Sequence, residues 1–194
     1  MDLNKVAENL KKRGFEAQVF AKKEDAAAYI NSQIDASTVG FGGSVTSRDM
    51  GLYESLSEHN TCYWHWKGND VKESVFADYY ISSVNGMTES GQMILIDGKG
   101  NRVGAVLMYH KKVFFVVGKN KIEESYEKAM WRARNVATGP NARRLGIDTP
   151  CAKADKCFDC NSKDRMCCYF LTIERPSCSG MPTEVLLIDE ELGF

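Results

Sequence analysis

The sequence lacks a surplus of either charge. Its 194 residues include 25 Lys and Arg against 26 Asp and Glu, which gives a formal net charge of -1. Proteins that bind nucleic acid or an anionic membrane present a basic surplus on at least one face. The composition therefore gives no indication of a nucleic-acid or membrane partner.

Long apolar runs are also missing. No stretch approaches the ~20 apolar residues that a transmembrane helix needs. The first residues, MDLNKVAENLKKRGFEA, carry charges throughout and have no apolar centre of the kind found in signal peptides. We therefore expect a cytoplasmic protein with reduced thiols. At this length, a single domain over residues 1–194 is the simplest organisation.

Strand-like and helix-like segments alternate through the first half of the chain. This alternation predicts a parallel sheet with helices on its faces. In the second half, strands at 92–97, 103–108 and 113–118 follow one another, with DGKG (97–100) as a hairpin turn between the first two. Consecutive strands predict mixed directions within the sheet. The predicted class is α/β, with an open, mostly parallel sheet flanked by helices.

A long amphipathic helix is predicted over residues 122–138. Gly139 and Pro140 follow it and are typical stop signals. After them comes a cysteine-rich segment, 149–180, and two further strands at 168–174 and 183–190.

A glycine-rich loop follows the strand predicted within STVGFGG (37–43). Glycine lets a ligand approach the backbone closely, and the hydroxyl groups after it provide polar contacts or a helix cap. The spacing matches neither the dinucleotide-binding fingerprint nor the P-loop. A ligand loop and an ordinary strand-to-helix turn both remain open. The predicted ligand loop comprises Gly40, Gly42, Gly43, Ser44, Val45, Thr46 and Ser47.

Five of the seven cysteines lie between Thr149 and Phe170. Four of them follow the spacing C-x5-C-x2-C-x6-C, and four thiolates suit either Zn²⁺ or an iron–sulfur cluster. Reduced, redox-active thiols and a disulfide set are the alternatives. The predicted metal ligands are Cys151, Cys157, Cys160 and Cys167.

Several motifs together resemble the LUD-domain family of lactate-utilization proteins. They are GFGGSVT (40–46), an E-S-G turn followed by DGKGNR and VGKNKI (84–122), ATGPNARRLGIDTPC (137–151) and the closing VLLIDEELGF (185–194). The four cysteines above also match the C-terminal segment of short family members. The resemblance implies a fold similar to the CoA-transferase and ribose-phosphate-isomerase superfamily. It also implies a link to lactate oxidation, often beside iron–sulfur subunits.

The resemblance directs attention to the turn Thr88-Glu89-Ser90-Gly91. We predict that Thr88, Ser90 and Gly91 line the ligand pocket together with the loop 40–47 and the region 109–121. CoA transferases of that superfamily carry a nucleophilic glutamate in a similar short turn. Glu89 is therefore a candidate nucleophile or base, with a hydrogen-bonded turn as the alternative. His110 is a second catalytic candidate, with a solvated strand end as its alternative. Lys121 and Arg102 are candidate anion contacts, or else simple surface charges.

Three functions remain open from the sequence. The first is a component of lactate (2-hydroxy acid) utilization that binds a small anionic or phosphorylated ligand at the glycine-rich loop. The second is an acyl-CoA or sugar-phosphate enzyme that uses Glu89. The third is a non-catalytic interaction or electron-transfer module for iron–sulfur partners.

Overall fold

Ten strands and nine α-helices occur in the part of the chain that the computed structural model describes, residues 1–107 and 109–194. The strands are β1 (Glu16–Phe20), β2 (Thr38–Phe41), β3 (Thr61–Tyr63), β4 (Tyr79–Ser82), β5 (Gly86–Thr88), β6 (Met93–Asp97), β7 (Lys112–Gly118), β8 (Ile122–Glu123), β9 (Tyr169–Ile173) and β10 (Thr183–Ile188). The helices are α1 (Leu3–Lys12), α2 (Lys23–Gln33), α3 (Val45–Asp49), α4 (Leu52–Leu56), α5 (Val71–Val75), α6 (Asn101–Ala105), α7 (Tyr126–Arg132), α8 (Thr138–Arg144) and α9 (Pro150–Ala154).

Six strands form a wholly parallel sheet in the order β1-β10-β7-β4-β2-β3. Its central strand β7 is apolar on both faces. Val113, Phe115 and Val117 lie in one core cluster, whereas Phe114 and Val116 lie in the other. A strand that is buried on both faces is typical of a parallel sheet covered by helices. The α/β class and the mostly parallel sheet are confirmed.

The two faces of this sheet are covered differently. Helices α2 and α4 pack on one face, through Ile30 and Leu56 among others. Helices α1 and α6 pack on the other face together with a second sheet. That sheet has four strands in the order β8-β5-β6-β9, and α7 covers its outer side through Ala129. Because one cluster contains residues of both sheets, they share a continuous core.

Two predictions about the second half of the chain were wrong. The antiparallel strands do not mix into the parallel sheet, because they form the second sheet instead. DGKG is not a hairpin turn, and residues 101–105 form α6 where a strand over 103–108 was predicted. The Asp97 carboxylate accepts hydrogen bonds from the backbone N–H groups of Arg102 and Val103, which fixes the first turn of that helix. Met108 lies outside the described residues.

The helix predicted to end at Gly139 and Pro140 continues to Arg144. A π-helical segment, Ala133–Ala137, joins α7 to α8. Proline removes one backbone hydrogen bond from a helix. A wider π-helical turn beside the proline lets the helix continue without that bond. The Thr138 hydroxyl donates to the Ala133 carbonyl oxygen at 2.8 Å, so that this carbonyl is satisfied within the irregular segment.

None of the helices in residues 1–107 and 109–194 has the length and apolar character that crossing a membrane requires.

Candidate functional site

A crevice opens between β2 and β4 at the carboxyl ends of the parallel strands. After β2 the chain passes to α3 and α4 on one face of the sheet, and after β4 it passes to the second sheet on the other face. Neighbouring strands whose connections leave to opposite faces mark a topological switch point, the usual ligand site of an open α/β sheet. The glycine-rich loop and the segment Ser83–Asn85 line this crevice.

The three glycines of the loop have different roles. A Cβ atom at Gly40 would lie 2.0 Å from the Ser74 carbonyl oxygen, so this glycine allows α5 to pack against β2. A Cβ atom at Gly42 would lie 3.0 Å from the Arg102 side chain, which is also a packing contact. Gly43 lines the crevice, and a Cβ atom there would make only ordinary contacts of 3.5 Å with His65 and Trp66. Close approach of a ligand is therefore possible at Gly43.

The hydroxyl residues that follow are mostly structural. Ser44 caps α3, because its Oγ accepts a hydrogen bond from the Ser47 backbone N–H at 3.1 Å. Thr46 is buried and donates to the Leu192 carbonyl oxygen at 3.2 Å. Ser44 and Val45 line the crevice. Residues 192–194 lie beside this loop, and Phe194 forms part of the crevice wall.

Lys121 points into the same crevice from the 3₁₀ turn after β7. It is a buried residue whose Nζ lies 2.8 Å from Thr46 Oγ1 and 3.0 Å from Ser83 Oγ. Burial, with the guanidinium groups of Arg132 and Arg102 nearby, lowers the pKa of the Lys121 ammonium group from 10.5 to about 7. The interpretation of Lys121 as a surface charge was therefore wrong.

Two buried arginines hold the neighbouring backbone. Arg102 donates to the Ser83 carbonyl, to Asn85 Oδ1 and to the Ile96 carbonyl at 2.6–3.0 Å. Arg132 donates to the Asn120 and Asn85 carbonyl oxygens at 2.6 and 2.7 Å. These partners are all uncharged. Burial lowers the pKa of both guanidinium groups. The pKa of a guanidinium group is normally far above neutral pH, so both groups remain charged.

The crevice has two connected lobes. The inner lobe has a volume of about 70 Å³ and is lined by Ser83, Lys121 and Phe194 among others. The outer lobe has a volume of about 370 Å³ and a more apolar wall. Gly43, Trp66, Asn85, Ile96, Arg102, Ala137, Asn141 and Arg144 line both lobes.

Aromatic and basic side chains surround the outer lobe. The Arg144 guanidinium group lies 4.4 Å from the centre of the Trp66 ring, a cation–π contact. His65 Nδ1 is buried without a hydrogen-bond partner in the described part of the chain. Burial, together with Lys99 and Arg144, lowers the pKa of His65, so that its imidazole is neutral at pH 7. The lobe therefore combines a flat apolar wall with nearby positive charge.

A groove of about 480 Å³ lies at the opposite, amino-terminal ends of β2, β3 and β4. Its charged lining residues include Glu58 and Asp78. The Asp78 carboxylate accepts hydrogen bonds from the backbone N–H and the hydroxyl group of Thr38. This groove is wider than the crevice but carries no buried cation. Its chemistry does not favour an anion.

The Thr88–Gly91 turn joins β5 to β6 and does not line the crevice. Thr88 Oγ1 and Ser90 Oγ lie 2.8 Å apart and hold the turn, and Gly91 has a φ of +93° that favours glycine. The Glu89 carbonyl oxygen accepts a hydrogen bond from Asn9 of α1 at 2.9 Å. The structure therefore separates Glu89 from the glycine-rich loop and from Lys121.

His110 is buried rather than solvated, contrary to the alternative considered for it. Its Nδ1 lies 2.7 Å from the Ala77 carbonyl oxygen and its Nε2 lies 2.9 Å from the Ala105 carbonyl oxygen. The ring also stacks on Tyr80 with centroids 5.1 Å apart. Both nitrogens are engaged with the backbone, so the geometry supports a structural role and leaves the catalytic prediction without support.

The cysteines have unequal environments. All seven are free thiols in the described residues. Cys151 is buried on α9 next to Thr149 Oγ1, whereas Cys157, Cys160 and Cys167 are partly exposed in the loops that follow. No group of three or more His, Cys, Asp or Glu side chains within residues 1–107 and 109–194 is arranged to hold a metal ion. A metal site at these four cysteines therefore remains a prediction from the sequence.

The sequence signals missed several residues of the crevice. Ser83 and Asn85 follow β4, and the rule that ligands bind beyond the carboxyl ends of parallel strands would have selected them. Asn141 and Arg144 lie on a helix that was expected to end before them. Both fall within ATGPNARRLGIDTPC, which carried the family resemblance but gave neither residue a role.

The comparisons with known proteins agree with this fold. The family model described as LUD domain matches residues 3–188. A DUF162 family protein from Deinococcus radiodurans has a similar structure, with a TM-score of 0.54 and 12% sequence identity over 96% of this chain and 95% of that chain. At that identity the likeness shows the fold alone. No curated protein matches the chain. Because the family model spans nearly all of the sequence, the chain belongs to the LUD domain family.

Proposed function

We propose that the inner lobe binds a small carboxylate or phosphate anion, and that the protein serves lactate (2-hydroxy acid) utilization, the process with which LUD proteins are associated. One observation carries the proposal. Lys121, Arg102 and Arg132 are buried side by side, and none of them forms an ion pair within 4.0 Å with a carboxylate of the described residues.

Such an arrangement is costly without an anion. The effective penalty for burying a charge is several kcal/mol per ion, and proteins normally offset it with a partner of opposite charge. The nearby carboxylates compensate these charges only in part, from beyond 4.0 Å. Asp97 stabilises the charge of Arg102 and Glu123 that of Arg132, whereas Asp49, which stabilises that of Lys121, is paired with Arg48. A bound anion would supply the missing negative charge.

The dimensions of the lobe favour a small ligand. A water-sized group needs roughly 10–15 Å³ of such space, so the lobe holds about five or six non-hydrogen atoms at its volume of about 70 Å³. Lactate and inorganic phosphate both have this size. The Ser83 hydroxyl lies beside Lys121 Nζ and lines the lobe, so it provides a neutral contact for an oxygen of either anion.

The test is binding of L-lactate and inorganic phosphate by calorimetry at low ionic strength. Propane-1,2-diol, which replaces the carboxylate of lactate with a neutral group, is the matched ligand control. We expect wild-type protein to bind both anions but not the diol, and Lys121→Met to lose at least tenfold in affinity. Lys119→Met is the matched variant, because Lys119 lies two residues away, is 42% exposed and pairs with Asp189. Equal affinity for the diol, or no saturable binding of either anion, contradicts the proposal.

The two other functions have less support. An acyl-CoA or sugar-phosphate enzyme that uses Glu89 would need that carboxylate near the ligand, and Glu89 lies outside the crevice. An electron-transfer module would need a cluster site, and the cysteine thiols are not arranged as one within the described residues. Both remain predictions from the sequence.

A further inference from the structure

We propose that the Lys121 amine attacks the carbonyl carbon of a small 2-oxo acid in the inner lobe and forms an imine with it. This inference rests on the proposed function, because it places the ligand in the same lobe. It goes further in assigning a covalent step, a nucleophile and a carbonyl-containing ligand class.

The surroundings of Lys121 leave its amine available for this reaction. A lysine that is paired with a carboxylate keeps its proton and has no free lone pair. Lys121 Nζ instead contacts two hydroxyl groups, Thr46 Oγ1 at 2.8 Å and Ser83 Oγ at 3.0 Å. Both hydroxyl oxygens accept from Nζ, and a neutral amine still has two N–H groups to donate, so these contacts suit the neutral amine, whose lone pair stays free, as well as the ammonium ion.

Neighbouring cations favour the neutral amine further. Desolvation and a second cationic group are the two means by which proteins activate a nucleophilic lysine. Lys121 has both, since it is 4% exposed and stands near Arg102 and Arg132. The pKa of about 7 means that roughly half of the amine is unprotonated at neutral pH.

The same cations orient the ligand. In a 2-oxo acid the carboxylate is bonded directly to the carbonyl carbon, so a group that attracts the carboxylate also places the carbonyl. Arg102 lines the inner lobe, its hydrogen-bond partners are neutral oxygens, and the Asp97 carboxylate that stabilises its charge lies beyond ion-pair distance. A carboxylate drawn toward Arg102 brings the adjacent carbonyl carbon next to Lys121 Nζ, because both side chains approach Ser83.

The step needs no further reactant. The nitrogen lone pair forms the N–C bond while the carbonyl π pair moves to oxygen, which takes up a proton released by the nitrogen. Loss of that oxygen as water, with a second proton from the nitrogen, leaves the C=N bond. One amine and one carbonyl give one imine and one water, with no change of oxidation state. The Ser83 hydroxyl contacts the nitrogen and lines the lobe, so it is placed to carry the protons.

Reductive trapping tests the proposal. The full chain is incubated near neutral pH with pyruvate as the 2-oxo acid and cyanoborohydride as the reductant, and the modified residue is located by peptide mass mapping. We expect a single reduced adduct on Lys121 that saturates with pyruvate and forms at least tenfold faster than adducts on exposed lysines such as Lys119. Excess L-lactate, which has the carboxylate but no carbonyl, is expected to slow the labelling.

Two variants control for folding and for non-specific labelling. Lys121→Arg lacks a nucleophilic amine, and we expect it to form no adduct at this position, while its urea unfolding transition checks that the chain is folded. Lys119→Met is expected to label as the wild type does. Labelling that spreads over exposed lysines without saturation, while Lys121 stays unmodified, overturns the proposal. If L-lactate binds but no imine is trapped, only the covalent step fails; if no anion binds, the proposed function itself fails.

Discussion

Lys121 has opposite effects on stability and on binding. The unfolded chain holds a proton on this lysine up to its ordinary pKa of 10.5, whereas the folded chain releases it at about pH 7. Between those values the unfolded state binds more protons, so the free energy of unfolding rises with pH. Below about pH 7 both states are protonated and the folded state carries the full cost of the buried charge.

We therefore expect Lys121→Met to be more stable than the wild type at pH 6 in a buffer free of carboxylate and phosphate. This advantage should shrink by roughly 1.4 kcal/mol per pH unit between about pH 7 and 9. Urea unfolding at several pH values measures both proteins, and their difference cancels other titrating groups. Arg102 and Arg132, which also face the amine, do not titrate in this range. A difference that is constant with pH would show that Lys121 keeps an ordinary pKa.

The sequence was sufficient to select Lys121 but not to recognise its environment. Its position after an apolar strand made it a candidate anion contact. Its burial depends on Thr46 and Ser83, which are 75 and 38 residues away along the chain. His110 shows the same limit, because its two backbone partners, Ala77 and Ala105, come from separate elements. Tertiary contacts of this kind have no local signature.

At the scale of elements, two positions of the glycine-rich loop need glycine for different reasons. Gly40 is required where α5 crosses β2, while Gly43 faces the crevice. We expect Gly40→Ala to lower the free energy of unfolding by about 1–3 kcal/mol or more, because its methyl group would overlap the Ser74 carbonyl and displace α5. Gly43→Ala should change stability by no more than about 0.5 kcal/mol.

Ligand affinity should show the reverse order. The methyl group of Gly43→Ala enters the junction of the two lobes, so affinity for L-lactate should fall several-fold. Urea unfolding and calorimetry on both variants check the pair. If Gly40→Ala abolished binding at full stability, Gly40 rather than Gly43 would be the ligand contact.

Helix and strand assignments failed where apolar runs were short. VGAVLM (103–108) suits a strand or a buried helix equally well by composition. The Asp97 carboxylate decides the outcome for residues 101–105, because it binds the first N–H groups of α6. Gly139 was interpreted as a stop signal, but it lies within α8. A Cβ atom there would lie 2.9 Å from the Cys151 carbonyl oxygen, so glycine at this position allows α8 to pack closely against α9.

At the scale of the whole molecule, Arg13 links the two sheets from the end of α1. Its Nε donates to the Ser90 carbonyl oxygen at 2.5 Å, and its Nη1 forms an ion pair with Glu174 at 2.6 Å. Ser90 lies in the β5–β6 turn and Glu174 follows β9. One partly exposed side chain therefore contacts both halves of the second sheet while its helix packs on the first.

We expect Arg13→Met to lower the free energy of unfolding by about 1 kcal/mol, since the ion pair is partly solvated. Amide hydrogen exchange should accelerate in β5, β6 and β9 and stay unchanged in β7 and β10. Lys12→Met, on the same exposed turn of α1, is the control and should change neither quantity. Uniform acceleration over both sheets would show that they open as one unit.

The sequence predicted the class of the fold because the period of its apolar residues distinguishes covered parallel strands from helices. It did not predict that the consecutive strands of the second half form a sheet of their own. Strands β5 and β6 are buried like the strands of the first sheet, β9 is partly exposed, and β8 has only two residues. The pairing of these strands depends on how they pack against α1 and α7, and no single segment of the sequence reveals that packing.

The position of β10 has a consequence for synthesis of the protein. This strand, late in the sequence, lies between β1 and β7 and pairs with both along its length. A ribosome that has made the chain only as far as residue 182 therefore presents β1 with no neighbour and β7 with one open edge. Elongation at about 5–20 residues per second leaves those edges exposed for several seconds. Completion of the parallel sheet must therefore follow the emergence of residues 183–188, and molecular chaperones that shield strand edges would act on this chain before that moment.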